Sequence, residues 1–158
     1  MRKLFFDELY LRMFFNPKII LITADMGYFF LDKIRDNIPT QFFNVGSSEQ
    51  LMLGAAVGMA MEGYIPLVYS ITPFVLYRPY ELIRNYLNYE SIPVKIIGGG
   101  RGKDYDNLGF SHWAEEDKKC LEPFDNIIKL WPKSDTDISV LVDFVITSKE
   151  PIYINLTR

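Results

Sequence analysis

The sequence predicts an α/β fold in which a mostly parallel sheet of about six strands lies between two layers of helices. Short runs of β-branched and other apolar residues alternate along the chain with longer stretches of helical character. The short runs are apolar throughout rather than at every second position, which indicates strands that are buried on both faces. This regular strand–helix–strand spacing predicts a single three-layer α/β/α domain.

The expected elements follow from these runs in chain order. Strands are predicted at residues 18–23, 41–45, 66–70, 94–98, 127–130 and 152–156. Helices are predicted at residues 3–15, 29–37, 48–62, 75–89, 113–120 and 136–148, with Ser134 and Asp135 capping the last one. Right-handed crossovers would bring the carboxyl ends of the strands to one edge of the sheet, outside which ligands of such sheets bind.

Composition restricts the classes of function. The chain has 158 residues, enough for one domain spanning 1–158, and its net charge of −3 provides no basic field for nucleic acid. Its single cysteine, Cys120, excludes an internal disulfide and a cysteine-based zinc cluster and is expected to be a half-buried structural thiol. Apolar runs are too short to span a membrane. We therefore expect a cytoplasmic protein that binds neither nucleic acid nor membranes.

The most informative stretch places one carboxylate at a helix start. An apolar strand leads into a Gly/Ser turn, and Glu49 follows as a first-turn residue of a helix rich in small side chains. A simple favourable interaction with the helix dipole, stabilising by about 0.3–1 kcal/mol, would also explain an acidic residue there. However, Gly54 and Gly58 leave one helix face nearly bare, at a cost of about 1 kcal/mol each relative to alanine. They indicate close approach of another backbone, either this domain's own sheet or a second chain.

Three further segments follow strands at the same predicted edge. Phe74 and Tyr77 open a helix and offer rings for stacking on a flat heterocycle, although packing in the core is the commoner role of a phenylalanine. Arg78, beside them, is expected to bind an anion or to pair with Glu81 on the surface. Residues 98–102 form a glycine-rich, flexible loop without the spacing of a phosphate-binding motif. His112 is the only histidine, so it is either structural or a proton donor near a substrate.

Taken in order, these segments resemble the pyrimidine-binding domain of transketolase-type thiamine diphosphate enzymes. This group includes transketolase, 1-deoxyxylulose-5-phosphate synthase and the β parts of 2-oxoacid dehydrogenases. Residues 44–50 are similar to the family pattern of Asp or Asn, any residue, Gly, Ile, any residue, Glu and Gln. Residues 58–66, 78–84 and 109–112, together with the closing segments 131–135 and 151–158, resemble further family patterns.

The resemblance implies a role for each candidate residue. Glu49 would bind N1′ of the cofactor aminopyrimidine and drive its tautomerisation, which suits a carboxyl partly shielded from water. Phe74 would pack against the pyrimidine ring, with Tyr77 beside it, and His112 would lie near the substrate. The sequence departs from the family at Gly100, where transketolase carries a histidine, and at Leu108, where an acidic residue is expected.

The sequence also lacks the family's motif for binding Mg²⁺ and diphosphate, and this absence leads us to expect a partner chain. The sequence contains no Gly-Asp-Gly followed by Asn at the spacing that holds Mg²⁺ and diphosphate. We therefore expect the diphosphate-binding and C-terminal domains to be absent, and a partner chain to hold thiamine diphosphate and Mg²⁺ in a homo- or hetero-oligomer. The chain itself is expected to ligate no metal. The expected reaction is two-carbon ketol transfer, or a related carbon–carbon cleavage or ligation, on a ketose or aldose phosphate or a 2-oxoacid. The alternatives are a β-type subunit of a 2-oxoacid decarboxylase or dehydrogenase, and a non-catalytic scaffold or regulator.

Overall fold

The computed structural model describes residues 1–135 and 137–158, which form one α/β domain. The strands are β1 (Ile19–Thr23), β2 (Phe42–Asn44), β3 (Ile65–Ile71), β4 (Lys95–Gly99), β5 (Ile128–Leu130) and β6 (Ile152–Leu156). The α-helices are α1 (Arg2–Phe15), α2 (Asp32–Asn37), α3 (Glu49–Met61), α4 (Thr72–Tyr77), α5 (Tyr80–Leu82), α6 (Asp117–Leu121) and α7 (Ile138–Thr147). A π-helical segment, Ile83–Tyr89, continues α5.

The strands form a parallel sheet in the order β2-β1-β3-β4-β6-β5. Strands β1 and β3 are in register from Ile19 opposite Ile65 to Thr23 opposite Tyr69. The chain builds the sheet in one direction from β1 to β2 and in the other from β3 onward, so the strand order reverses between β1 and β3. In open α/β sheets this reversal leaves a crevice at the carboxyl edge, where ligands bind.

Two hydrophobic clusters cover the two faces of the sheet and confirm the three-layer prediction. One joins α3, α4 and the π-helical segment to β1, β3 and β4, and the other joins α1, α2 and α7 to the opposite face. Every residue of β1, β4 and β6 is buried, in agreement with runs that are apolar throughout. In the part of the chain that the structure describes, none of the helices has the length and apolar character needed to cross a membrane.

The predicted helix boundaries are wrong in three places. Residues 29–31 are not helical because Phe29 has a φ of 72°, which a right-handed helix cannot contain. The helix predicted at 75–89 begins earlier, at Thr72, and is interrupted at Pro79, which has no N–H to donate. Residues 113–116 are not helical because Ala114 forms an antiparallel bridge with Gly102.

The predicted N-cap of the last helix, α7, differs from the observed one. Its N-cap residue is Asp137, rather than Ser134 or Asp135. The predicted first residue of that helix, Thr136, lies outside the described residues.

Candidate functional site

Glu49 lies at the start of α3, close to the point where the strand order reverses. Its side chain is only 1% exposed. The Ser70 hydroxyl, at the end of β3, donates to Glu49 Oε1 at 3.2 Å. The expected shielding of this carboxylate from water is therefore present, and a β3 residue that the sequence analysis did not single out is one of its partners.

The second partner of Glu49 is Arg78, one residue beyond α4. Arg78 Nη1 lies 2.6 Å from Glu49 Oε2, and its side chain is 46% exposed. Of the two roles expected for Arg78, binding an anion or pairing with Glu81, the pairing with Glu81 is not formed, and Arg78 contacts the carboxylate of Glu49 instead. Parallel strands bring the segments after β2 and β3 together, which places the two charges in contact although 29 positions separate them.

The rings of Phe74 and His112 extend this ion pair into a row of contacting side chains. The Arg78 guanidinium carbon lies 4.0 Å from the centroid of the Phe74 ring. The His112 ring meets the Phe74 ring edge-on, with 5.0 Å between centroids. Three of the four predicted site residues, Glu49, Phe74 and His112, are thus brought together through Arg78 and Phe74.

Tyr77 has a different environment from the other three. It lies on α4 close to the carboxylates of Glu116 and Asp117, and it is 45% exposed. Burial, then these carboxylates, raise the pKa of Tyr77 to about 12, so its hydroxyl stays protonated at neutral pH. A role for Tyr77 in holding a cofactor stays a prediction.

A cationic and aromatic cluster lies beyond His112 at the same edge. Arg2 Nη1 donates to the Tyr105 hydroxyl at 2.7 Å and to the Tyr69 hydroxyl at 3.3 Å. The Arg158 guanidinium carbon lies 5.2 Å from the Tyr105 ring centroid, and the His112 ring centroid lies 6.3 Å from it. Arg2, Arg158 and Tyr105 are not among the residues predicted from the sequence, because residues far apart along a chain carry no local signal of contact.

The glycine-rich segment, residues 98–102, packs closely against side chains at the edge of the sheet. A Cβ on Gly99 would lie 2.7 Å from the Tyr69 hydroxyl oxygen, and one on Gly98 would lie 2.6 Å from Thr72 Oγ1. Arg101 donates to the carbonyl of Pro132 at 2.9 Å and also to that of Asn155. Gly98 and Gly99 belong to β4, so the predicted loop begins two residues later than expected.

The glycines of α3 do not face the domain's own sheet. Within the described residues, a Cβ on Gly54 would meet only the Leu82 side chain, at 3.9 Å, and one on Gly58 would meet nothing within 4 Å. The same face exposes Leu51 and Met61. The alternative of a second chain against this face stays a prediction.

The structure also bears on two other kinds of site, a reactive cysteine and a metal centre. Burial raises the pKa of Cys120 to about 11, so this residue is a half-buried thiol at neutral pH, as expected. Among the residues that the structure describes, no group of three or more His, Cys, Asp and Glu side chains is arranged to hold a metal ion.

The sequence of this chain matches a known protein family. The family description "Transketolase, pyrimidine binding domain" matches residues 1–158. An apulose-4-phosphate transketolase subunit of Actinobacillus succinogenes is 30% identical over 118 residues, which are 75% of this chain and 38% of that protein. The subunit of the same name from Phocaeicola vulgatus is 28% identical over 158 residues, covering 99% of this chain and 51% of that protein.

Solved structures show the same fold. A split-gene transketolase, described as an inactive β4 tetramer, has a TM-score of 0.86 and 28% identity, covering 99% of this chain and 51% of that one. Transketolase from Leishmania mexicana has a TM-score of 0.87 at 18% identity, covering 99% of this chain and 25% of that one. The chain thus spans about half the length, or less, of these relatives.

Proposed function

Because the chain belongs to the family of transketolase pyrimidine-binding domains, we propose that it is the pyrimidine-binding subunit of a split, thiamine diphosphate-dependent, transketolase-like enzyme. The reaction is the transfer of a two-carbon ketol unit. A partner chain supplies the residues for diphosphate and Mg²⁺, and this chain alone is inactive. Relatives named as transketolase subunits and as a split-gene transketolase support this division. The observation that carries the proposal is the buried Glu49 carboxylate, which Arg78 links to the Phe74 ring.

The residues present fit the pyrimidine half of the cofactor. A flat heterocycle needs an aromatic face and a partner for its ring nitrogen, and Phe74 and Glu49 provide these within one group at the carboxyl edge. The bound cofactor supplies the nucleophilic carbon and the electron sink of the reaction. This chain's part is to orient the ring and to control a proton.

Glu49 is suited to the proton step. A carboxylate with a 1% exposed side chain interacts more strongly with a ring nitrogen than it would in water. The Ser70 hydroxyl holds Oε1 and so orients the carboxylate. His112, whose ring meets Phe74 edge-on, is the residue for which we propose the role of acid or base near the substrate.

The cluster of Arg2, Arg158 and Tyr105 supports a phosphate-bearing substrate. Two guanidinium groups flank one tyrosine, with His112 between that tyrosine and Phe74. Arginine is well suited to phosphate because its planar donors match the phosphate oxygens. The two apulose-4-phosphate transketolase subunits described above also carry a sugar phosphate in their names. These observations favour ketose phosphates over 2-oxoacids.

The function is tested by Glu49→Gln in a complex reconstituted with the partner chain. The amide keeps the shape of the side chain but cannot take up a proton, so turnover of a ketose phosphate is expected to fall by about 10²–10⁴-fold. Glu62→Gln, on an exposed residue that follows the same helix, is the matched control and should leave turnover unchanged. Near-normal turnover of Glu49→Gln would contradict the proposal. Turnover of 2-oxoacids instead of ketose phosphates would assign the reaction to the decarboxylase or dehydrogenase class.

A non-catalytic scaffold is the second candidate, and one observation favours it. The carboxylate of Glu49 is already paired with an arginine of its own chain. Calorimetric titration with thiamine diphosphate and Mg²⁺, in the presence and absence of the partner chain, separates the two functions. Binding in neither case supports the scaffold, whereas binding with the partner chain supports the enzyme.

A further inference from the structure

We propose that Arg78 is a displaceable occupant of the ring site, which holds Glu49 and Phe74 until the cofactor ring takes its place. The inference rests on the proposed function, because it assumes that the pyrimidine ring binds to Glu49 and Phe74. It adds that the free chain exists mainly in a closed form that cannot accept the ring.

The contacts of Arg78 are those that the proposed ring requires. Its guanidinium donates to Glu49 Oε2 at 2.6 Å and stacks on Phe74 at 4.0 Å from the ring centroid. A guanidinium is flat, delocalised and bears N–H donors, so in shape and in hydrogen bonding it resembles an aminopyrimidine that is protonated at its ring nitrogen. The guanidinium and the proposed cofactor ring would both occupy Glu49 Oε2 and the Phe74 ring. They therefore cannot be bound at the same time in this arrangement.

Burial shows which partner can move. The Glu49 side chain is 1% exposed, whereas that of Arg78 is 46% exposed and lies one residue beyond α4. Rotation of the long arginine side chain into solvent would open the carboxylate without unfolding either helix. A buried carboxylate without a partner is costly, which explains why the arginine closes over it in the free chain.

The closed form has a measurable consequence for affinity. A ligand that binds only the open form has an apparent affinity reduced by the open fraction. If Arg78 is closed in about 90–99% of molecules, removing it tightens ring binding about 10- to 100-fold. A partner chain that draws Arg78 away would have the same effect, so cofactor uptake would follow assembly.

The test uses thiamine, which carries the aminopyrimidine but no diphosphate and therefore needs no Mg²⁺ site. The free chain is titrated with thiamine by ligand-observed NMR, as wild type, Arg78→Ala, Arg78→Lys and Arg78→Ala with Glu49→Gln. We expect the dissociation constant to fall about 10- to 100-fold in Arg78→Ala and less in Arg78→Lys, since lysine keeps the charge without the flat face. The added Glu49→Gln should abolish the gain.

The matched control is Arg84→Ala. Arg84 also lies over an aromatic ring, that of Tyr89, with 4.8 Å between its guanidinium carbon and the centroid, but it has no contact with Glu49. This variant should bind thiamine as the wild type does. A gain equal to that of Arg78→Ala would overturn the inference, since it would show a non-specific effect of lost charge.

The outcomes separate the inference from the proposed function. Equal thiamine affinity in the wild type and Arg78→Ala, lost with Glu49→Gln, overturns the role of Arg78 and leaves the ring site in place. Binding to no variant, or binding indifferent to Glu49→Gln, overturns the inference for the free chain, whereas the proposed function is overturned only if thiamine diphosphate also fails to bind in the presence of the partner chain. The NMR signal of the Arg78 side chain in the wild type gives a measurement that does not depend on a variant's folding. It must move when thiamine binds, and a bound state with an unmoved signal contradicts the inference.

Discussion

Asp117 shows how a single buried carboxylate can organise several elements. Its Oδ2 accepts hydrogen bonds from Trp131 Nε1 at 2.7 Å, from the Tyr153 hydroxyl at 2.9 Å and from Asn155 Nδ2 at 2.7 Å. The residue is 4% exposed, and these partners come from the segment after β5 and from β6. Asp117 thus attaches the short helix α6 to the sheet beside the site.

Replacing Asp117 with alanine is expected to destabilise the domain. Three donors, of which those of Tyr153 and Asn155 are buried, would lose their acceptor, and the expected loss in the free energy of unfolding is about 2–4 kcal/mol. Urea unfolding followed by circular dichroism measures it. Asp125→Ala, at an exposed position, is the control and should change stability by less than about 0.5 kcal/mol. A similar, small change in both variants would show that the cluster does not stabilise the fold.

At the scale of elements, Lys95 connects the start of β4 to the turn between α7 and β6. Its side-chain Nζ donates to the carbonyl oxygens of Ser148, at 3.0 Å, and Glu150. Burial lowers the pKa of Lys95 to about 8. The lysine therefore satisfies two carbonyl groups at the amino edge, opposite the site.

This shifted pKa predicts a pH dependence of stability. Between about pH 8 and the ordinary lysine value of 10.5, the unfolded chain binds more protons at this position than the folded chain. The free energy of unfolding should therefore rise with pH in this window, by about 1–3 kcal/mol. Lys95→Met should lack this rise, whereas Lys149→Met, at an exposed neighbouring position, should retain it. Urea unfolding at several pH values measures it, and parallel curves for wild type and Lys95→Met would contradict it.

At the scale of the whole molecule, the carboxyl edge carries exposed apolar side chains around the candidate site. Phe29, after β1, is 91% exposed, and Phe110, after β4, is 84% exposed. Tyr28 and Leu108 are exposed beside them. Large aromatic side chains are enriched at protein interfaces, so we predict that a partner chain contacts this rim.

Assembly should therefore depend on this rim. Phe110→Asp is expected to weaken association with the partner chain at least about 10-fold while changing the free energy of unfolding by less than about 0.5 kcal/mol. Phe15→Asp is the control, because Phe15 is also 82% exposed but ends α1 at the opposite edge. Analytical ultracentrifugation of the mixed chains measures association. Equal association of both variants would place the interface elsewhere.

Local sequence patterns predict the strands well because burial on both faces leaves a signal within five or six residues. The run at 152–156 matches β6, and that at 18–23 differs from β1 by one residue. The helices were predicted less well, since their ends depend on contacts outside the segment. Ala114 pairs with Gly102 instead of joining α6, and nothing within residues 113–120 indicates that bridge.

The sequence by itself determined the parallel α/β fold, the family and the position of Glu49 at a helix start after a strand. These depend on short-range patterns and on the order of motifs. Only the tertiary structure decided that Arg78 pairs with Glu49 rather than Glu81, and that Arg2 and Arg158 flank Tyr105. The physical reason is that sheet topology brings distant segments to one edge, where the choice of partner depends on geometry in space.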